Sequence, residues 1–457
     1  MLTDPIAALA TPPGRSALAV VRLSGSGVFA IAARVIPAFR VDPPRTARLA
    51  RFVDPAGAAI DRGLYLVYPA PRSATGQDLV EFTCHGGLAV PARLLEALYV
   101  AGARPAAPGE FTRRAVLNGK LDLLQAEAVG DLIEASAPAQ AGAAVHQLEG
   151  GLSRRIAGLR EALLDLESLL AYEVDFPDED DGPLPRDRIE ARRAEVAGRI
   201  ERLLASAPAG ERLREGALVV LTGAPNAGKS SLFNALLGSH RALVTELAGT
   251  TRDAIEAHTD FLGWPVRLVD TAGMSDTPDR LEAMGMEVSR KYIAAADLVI
   301  RCLETDKSDE TDKFAPSTDE TDSSGGLNNS SASTVSSVLL VRTKSDLGAP
   351  SGPGLPVSSV TGVGIAELRR LAGERLFGAR LPLADLEPAL TRARHREALA
   401  RAQAALAEAR EHLLPGGDAV LVAHHVRQAT RALDALVGAV DLEEILDRVF
   451  AGFCVGK

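Results

Sequence analysis

The octapeptide Gly223-Ala224-Pro225-Asn226-Ala227-Gly228-Lys229-Ser230 constrains the fold of this chain more than any other segment. It follows the apolar run Leu218-Val219-Val220-Leu221 and opens a helical stretch, Ser231 to Leu237. A Gly-x-x-x-x-Gly-Lys-Ser element in that context is a phosphate loop. Its glycines let backbone N–H groups approach phosphate oxygens, and the helix dipole favours the negative charge. In such a loop Lys229 reaches the β and γ phosphates and Ser230 ligates magnesium, with Asn226, Ala227, Gly228 and Ser231 beside them. Further strand-like runs, Val266-Arg267-Leu268-Val269, Leu298-Val299-Ile300 and Val338-Leu339-Leu340-Val341, alternate with helical stretches, as in a largely parallel sheet.

A base-reading element selects between purines. Thr343-Lys344-Ser345-Asp346 follows the last of those strands and has the form Asn-Lys-x-Asp, with Thr in first place. Asp346 can accept from guanine N1–H and from the exocyclic amine, a pairing adenine cannot match. Lys344 would pack its stem along the purine, while Thr343 lacks the amide of the commoner Asn. Asp270-Thr271-Ala272-Gly273 ends the run Val266–Val269: Asp270 would hold magnesium through water, and the Gly273 N–H would sense the γ phosphate. Between the phosphate loop and this element, Gly249-Thr250-Thr251-Arg252-Asp253 offers the Thr251 hydroxyl to the magnesium shell. Met274 stands where small Ras-like GTPases carry a water-orienting Gln, and a thioether cannot orient water. Hydrolysis then needs another polar group and another positive charge. Glu282 and a monovalent cation held by Asn226 are candidates, although the residues alone favour Glu282 as a solvated acid at a helix start.

Around this core the chain changes texture several times. Ile6 to about Gly119 shows short apolar runs between Pro and Gly turns, an α+β pattern. Leu148, Leu152, Ile156, Leu159, Leu163, Leu166 and Leu170 recur at steps of three and four, which predicts one long amphipathic helix. The acidic stretch from Asp175 to Asp181 ends it, and a second helix begins near Asp187. After about Leu381 the chain returns to Ala-, Leu- and Arg-rich helix up to Val449. The expected fold class is therefore multidomain: an α+β amino-terminal domain over 1–119, an all-α helical domain in two parts over 120–215 and 381–457, and an inserted α/β phosphate-loop domain over 216–380. Insertion is physically cheap where the ends of the inserted domain lie close together. Residues 303–337, rich in Ser, Thr, Asp and Asn, bury too little apolar surface to offset their ordering entropy and are expected to be a disordered insert.

Three cysteines, Cys84, Cys302 and Cys454, lie far apart with no Cys-x-x-Cys pair, which argues against a disulfide framework and a zinc knuckle. With no signal-like or membrane-crossing apolar run, a cytoplasmic location is expected. The net charge is −10; residues 303–337 hold eight acids against two lysines, a net of −6, which leaves −4 for the rest. Such a balance argues against broad electrostatic binding of nucleic acid, so RNA contact must be local or supplied by a partner. It also argues against a switch built on a Lys- and Arg-rich RNA-binding domain.

Taken in order, Thr11-Pro12-Pro13-Gly14-Arg15, Val21-Arg22-Leu23-Ser24-Gly25, Thr75-Gly76-Gln77-Asp78, Glu81 with Cys84-His85-Gly86-Gly87, Gly109-Glu110-Phe111-Thr112-Arg113-Arg114-Ala115, the segment from Leu117 to Leu123, Gln125-Ala126-Glu127-Ala128-Val129, the nucleotide motifs and Phe453-Cys454-Val455-Gly456-Lys457 resemble the MnmE (TrmE) family of tRNA-modification GTPases over essentially the whole chain. The resemblance implies a potassium-dependent GTPase that forms a homodimer through its amino-terminal domain. Asn226 matches the family's potassium ligand, and Thr245-Glu246-Leu247-Ala248-Gly249-Thr250 its cation-capping loop, with Thr245, Leu247 and Thr250 as further potassium ligands. Glu282 matches the catalytic glutamate, against the solvated-acid reading. Ser358-Ser359-Val360 replaces a Ser-Ala-Lys or Ser-Ala-Arg element over the base.

The family's amino-terminal domain binds a tetrahydrofolate one-carbon carrier such as 5-formyltetrahydrofolate, and Arg22, Glu81, Lys120 and Lys457 match its folate contacts. A carboxylate such as Glu81 suits the amide-like edge of a pterin; Arg22 and Lys120 suit the glutamate tail or formyl oxygen. Cys454 is a candidate to lie near the transferred carbon, although a lone Cys at an apolar helix end is more often buried and inert. Cys84-His85 resembles a ligand pair without partners and is expected in a turn beside the folate pocket. The resemblance further implies a flavoprotein partner, MnmG, carrying FAD and using NADH, with which the family installs an aminomethyl or carboxymethylaminomethyl group at carbon 5 of the tRNA wobble uridine.

Overall fold

The computed structural model describes residues 2–175, 186–238, 255–270, 290–304, 337–348, 352–378, 390–414 and 417–438, with 449, 453, 455 and 456. Its strands are β1 Ile6–Leu9, β2 Leu18–Ser24, β3 Arg48–Val53, β4 Ala59–Tyr68, β5 Leu79–His85, β6 Arg104–Pro105, β7 Ala217–Gly223, β8 Ile255–Phe261, β9 Trp264–Asp270, β10 Leu298–Glu304, β11 Ser337–Thr343 and β12 Leu355–Pro356. Its helices are α1 Val28–Val35, α2 Ala89–Val100, α3 Glu110–Leu117, α4 Leu123–Glu134, α5 Pro138–Leu148, α6 Gly151–Asp175, α7 Arg186–Glu215, α8 Lys229–Leu237, α9 Ile365–Phe377, α10 Ala393–His412 and α11 Ala419–Val437. They form two compact units. One comprises Met1–Ile133, Ala144–Ala205 and Ala393–Lys457; the other comprises Glu134–Ala143 and Ser206–Arg392.

The first unit holds a six-stranded sheet in the order β3-β4-β5-β2-β1-β6, antiparallel except where β1 meets β6. Side chains alternate between the faces of a strand. Ala19, Val21 and Leu23 of β2 and Val80, Phe82 and Cys84 of β5 thus enter one core, closed by α1 and α2. Arg22 and Glu81 have the opposite parity and stand on the other face as register partners.

The helical part of this unit is built on α6. Leu152, Ile156, Leu159, Leu163, Leu166 and Leu170 are all buried to within 1%, the stripe that the three-four spacing demands. Leu148, however, belongs to α5, because the chain breaks at Gly150 with φ of 82°. Only glycine takes that left-handed conformation without steric cost. The face of α11 meets α6 through Thr430, whose hydroxyl donates to Glu167 at 2.6 Å, and Asp434, which accepts from Arg160 at 2.5 Å. Asp418 caps α11 by accepting from the Val420 N–H at 2.8 Å, and the helix ends at left-handed Gly438.

The second unit holds the sheet β12-β11-β10-β7-β9-β8, parallel apart from the antiparallel β8 at its edge. Strand β7 shows no alternation of buried and exposed side chains because both of its faces are covered: Val219 and Leu221 pack with α8 and α9 residues, Leu218 and Val220 with Ala296 and Val299. Leu303 and Ser337, expected at the ends of the disordered insert, are strand residues instead, since β10 and β11 pair in register from Leu298↔Ser337 to Glu304↔Thr343. The remainder of that insert, 305–336, lies outside the described residues, as does 176–185, which holds most of the acidic stretch after α6.

Candidate functional site

In the second unit β7 has β9 on one side and β10 on the other, so the winding direction reverses at β7. Ligands of open α/β sheets bind beyond the strand carboxyl ends at such a reversal. The sequence motifs meet there. Register pairs Gly223 with Cys302, Asp270 with Leu221 and Thr343 with Glu304, which aligns the ends of β7, β9, β10 and β11.

The loop from Gly223 to α8 has the geometry of an anion cradle. Gly223 has φ of 143°, and a Cβ there would strike the Cys302 carbonyl. Asn226 is left-handed at 65° and Gly228 at 78°. Asparagine tolerates that conformation better than most side chains, so residue 226 has a backbone reason for its identity besides any ligand role. Gly228 opens α8, whose first N–H groups are unsatisfied within the helix and face the crevice as anion donors. Lys229, 8% exposed, donates from Nζ to the carbonyls of Gly223 at 2.9 Å and Ala224 at 2.8 Å. Asp270 is buried to 1% at the neighbouring strand end. Burial, only partly offset by Lys229, pushes the Cys302 thiol up to about 12, so it stays a protonated core residue.

The base-reading segment is bound to this loop. Thr343 Oγ1 donates to the Ala227 carbonyl at 2.7 Å. Lys344 follows at φ of 59°, a left-handed turn that costs a non-glycine residue about 1 kcal/mol. Behind it, the fully buried Ser358 donates to Asp346 Oδ1 at 2.6 Å and accepts from the N–H groups of Val360 at 3.3 Å and Thr361 at 3.1 Å. One acceptor position of Oδ1 is thereby taken, and the remaining positions of the carboxylate are left to meet the two guanine donors. Val360 itself is 86% exposed. Thr245, Glu246, Leu247, Ala248, Gly249, Thr250, Thr251, Thr271, Ala272, Gly273, Met274 and Glu282 lie outside the described residues.

A second polar cluster occupies the open face of the first unit's sheet. Arg22 Nε donates to Glu81 Oε1 at 2.8 Å, and the Tyr68 hydroxyl donates to Glu81 Oε2 at 3.3 Å. In the sequence Arg22 and Glu81 are separate candidate ligands; folding makes them an ion pair. A carboxylate has about four acceptor positions, so Glu81 keeps capacity for another donor. Lys120 lies against left-handed Gly76, where a Cβ would come 3.2 Å from the Lys120 Cγ. Asn118 donates to the Thr75 carbonyl at 2.7 Å, and Ser24 and Thr75 share a hydrogen bond of 2.7 Å. That chain of contacts ties the Lys120 segment to the β2 strand carrying Arg22.

The fully buried Arg114 secures the same loop from beneath. It donates to the Asp4 carbonyl at 2.7 Å, Gln77 Oε1 at 3.0 Å and Glu110 Oε1 at 2.8 Å. Burial opposes ionisation of Glu110, yet Arg104, the Ala107 N–H and Arg114 hold its carboxyl down at about 2.

Cys84 and His85 are the last residues of β5 and not a turn, because both pair with β2. Burial, with Asp61 nearby, pushes the Cys84 thiol up to about 11, and His85 Nδ1 sits 2.9 Å from Asp61. Among the described residues no cluster of three His, Cys, Asp or Glu is placed to hold a metal.

Cys454 and Lys457 lie outside the described residues, but their neighbours are placed. The ring of Phe453 lies against Gly130 of α4, and Gly456, with φ of 97°, leaves no room for a Cβ against the Leu9 carbonyl at the end of β1. Tyr68, Ser24, Thr75 and Arg114 belong to this cluster and its support, although the sequence assigns none of them a role of its own. The parity that places Tyr68 and Ser24 on the face of Glu81 and Arg22 is the available signal; Arg114 stands in one of the motifs that carry the resemblance, but its partners Asp4, Gln77 and Glu110 come from three separate segments and are not readable from it.

Two family models match the chain: that of the MnmE helical domain over residues 123–454 and that of the GTP-binding protein TrmE N-terminus over residues 5–120. Among curated proteins, the tRNA modification GTPase MnmE of Thermus thermophilus is 45% identical over 464 residues, covering 100% of this chain and 99% of that protein. The proteins of the same name from Moorella thermoacetica and Parvibaculum lavamentivorans are 40% and 42% identical, covering 100% and 99% of this chain and all of each relative.

Proposed function

Because this chain belongs to the MnmE family of tRNA modification GTPases, we propose that it hydrolyses GTP at the crevice beyond β7 and uses that turnover to drive modification of the tRNA wobble uridine. The observation that carries the reading is the bond from Thr343 to the Ala227 carbonyl, which joins the guanine-reading segment to the phosphate loop while Ser358 aims Asp346. A phosphate loop alone accepts many nucleotides. A phosphate loop joined to a segment that carries an oriented carboxylate selects guanine.

In this reading the phosphates take the N–H groups of Ala227, Gly228, Lys229, Ser230 and Ser231, and Lys229 exchanges its two loop carbonyls for phosphate oxygens. Asp346, Lys344 and Thr343, with Ser358, Ser359 and Val360, form the base pocket. Ser230 and Thr251, with Asp270 through water, would hold magnesium, which would neutralise phosphate charge. Asn226, Thr245, Leu247 and Thr250 would hold potassium, which would supply the positive charge that other switches take from an arginine. Glu282 positions the attacking water, a task that Met274 cannot perform. Glu246, Ala248, Gly249, Thr271, Ala272 and Gly273 complete the nucleotide shell.

The amino-terminal unit is read as a tetrahydrofolate site: Glu81 for the pterin edge, Arg22, Lys120 and Lys457 for the anionic groups, with Cys454 near the carried carbon. The open-face cluster fits such a ligand, since Glu81 retains acceptor capacity and Arg22 is 27% exposed in its side chain. Segments 1–119, 120–215 with 381–457, and 216–380 are proposed as the folate, helical and nucleotide domains. The chain acts in the cytoplasm as a homodimer with an MnmG-like flavoprotein that brings FAD and NADH. No helix among the described residues is long and apolar enough to cross a membrane.

Steady-state GTP turnover tests the mechanism. Hydrolysis is expected to be at least roughly tenfold faster in potassium than in sodium, and Glu282→Ala is expected to abolish turnover while GDP affinity stays within about twofold. Equal rates in the two salts would remove Asn226 from the cation role. Normal carbon-5 modification of wobble uridine in a strain lacking this protein would sink the tRNA assignment.

A further inference from the structure

Guanine presents two donors, N1–H and the 2-amino group, and two acceptors, O6 and N7. Asp346 answers the donors. An acceptor needs a donor from the protein, and the residue at the first place of the base-reading segment, three before Asp346, is Thr343, buried to 2%. Its hydroxyl lies 2.7 Å from the Ala227 carbonyl and 3.2 Å from the Leu303 carbonyl. A hydroxyl carries one proton. Both neighbours are backbone acceptors, so that proton is committed inside the protein whichever of the two it favours. Gly228 packs alongside, where a Cβ would come 3.3 Å from the Thr343 Cβ. An asparagine at this place would carry two N–H donors on an arm one bond longer, one for Ala227 and one over.

We propose that Thr343 is a positioning residue that ties β11 to the phosphate loop through Ala227 and, by committing its only proton there, offers guanine N7 no donor from this position of the base-reading segment. The site then recognises its base through Asp346 and is indifferent to the atom at position 7. This inference rests on the guanine-site reading above.

The test is competition of GDP and 7-deaza-GDP against a fluorescent GDP analogue on the full chain with magnesium. For the wild-type protein the two affinities are expected to agree within about twofold. Thr343→Asn is expected to restore discrimination, binding GDP about tenfold more tightly than 7-deaza-GDP. Thr343→Ser, which keeps the hydroxyl, should retain the wild-type ratio. Thr343→Val should weaken both ligands about tenfold and leave their ratio near one, because it loosens the loop without touching base recognition. A wild-type preference for GDP of roughly fivefold or more overturns the inference, as does a Thr343→Asn protein that ignores the N7 change. The wild-type ratio needs no variant to fold. Failure of the wild-type protein to bind GDP at all would remove the guanine-site reading and this inference with it, and the same titration separates that outcome from a measurable preference.

Discussion

Asp346 reads a base only if its carboxylate holds one orientation, and Ser358 supplies that restraint from a fully buried position at 2.6 Å. A hydrogen bond to a charged group contributes about 1.5–3 kcal/mol. Ser358→Ala is therefore expected to weaken GDP binding at least about tenfold and to narrow the preference for guanine over adenine, which a fluorescence titration with both nucleotides measures. Lys229 and Asp346 were legible in sequence as candidates because the chemistry proposed for each is carried by spacing along one chain segment. The Arg22–Glu81 pair was legible only as two candidates. Pairing depends on the antiparallel register of β2 and β5, 59 residues apart, and register is not written in either strand alone. If the open face is the folate site, Arg22→Ala should lower the affinity for 5-formyltetrahydrofolate about tenfold or more by calorimetry; undiminished affinity would refute the assignment.

At the scale of elements, α6 shows how far periodicity reaches. Its stripe of buried side chains follows from spacing, and truncating one at the centre leaves a cavity that costs about 2–5 kcal/mol. Leu163→Ala should lower the melting temperature without changing GDP affinity, since the site lies in the other unit. Periodicity did not reveal the break at Gly150, because Leu148 satisfies the same spacing from the preceding helix. The end of the chain is different in kind. Gly456 touches the β1 carbonyl so closely that any side chain must unseat it. Gly456→Ala is expected to release the segment after Phe453 to limited proteolysis and to reduce folate affinity, with GTP turnover retained. The sequence marked Gly456 as part of a motif, but the carbonyl that requires glycine belongs to β1, near the opposite end of the chain.

At the scale of the molecule, the first unit is assembled from three stretches of sequence, and Glu127 bonds two of them together. From α4 it accepts from Arg394 Nε at 3.1 Å and Nη2 at 3.0 Å, and lies 2.7 Å from His395 Nε2 at the start of α10. Burial works against its charge, but His395 and Arg394 outweigh it and hold the carboxyl down at about 2. An unfolded glutamate titrates near about 4.3. A depressed folded value stabilises the fold above the unfolded value, and that stability is lost as pH falls through the interval toward about 2; linkage puts it on the order of 3 kcal/mol. Urea midpoints should fall between about pH 6 and pH 3, and Glu127→Gln should be less stable at about pH 6 while showing a shallower fall. An acid limb as steep in the variant as in the wild type would contradict the role given to Glu127.

Sequence alone determined the phosphate loop, the strands that feed it, the order of the nucleotide motifs and the amphipathic helix, because each rests on contacts between residues near in the chain, where spacing is geometry. Tertiary structure decided the Thr343–Ala227 bond, the Arg22–Glu81 and Glu127–Arg394 pairs, the buried Arg114 and the seat of Gly456. Those contacts mostly join segments far apart in the sequence. Their partners are chosen by strand register and helix packing, which minimise the energy of the whole unit and leave no local signature in either partner.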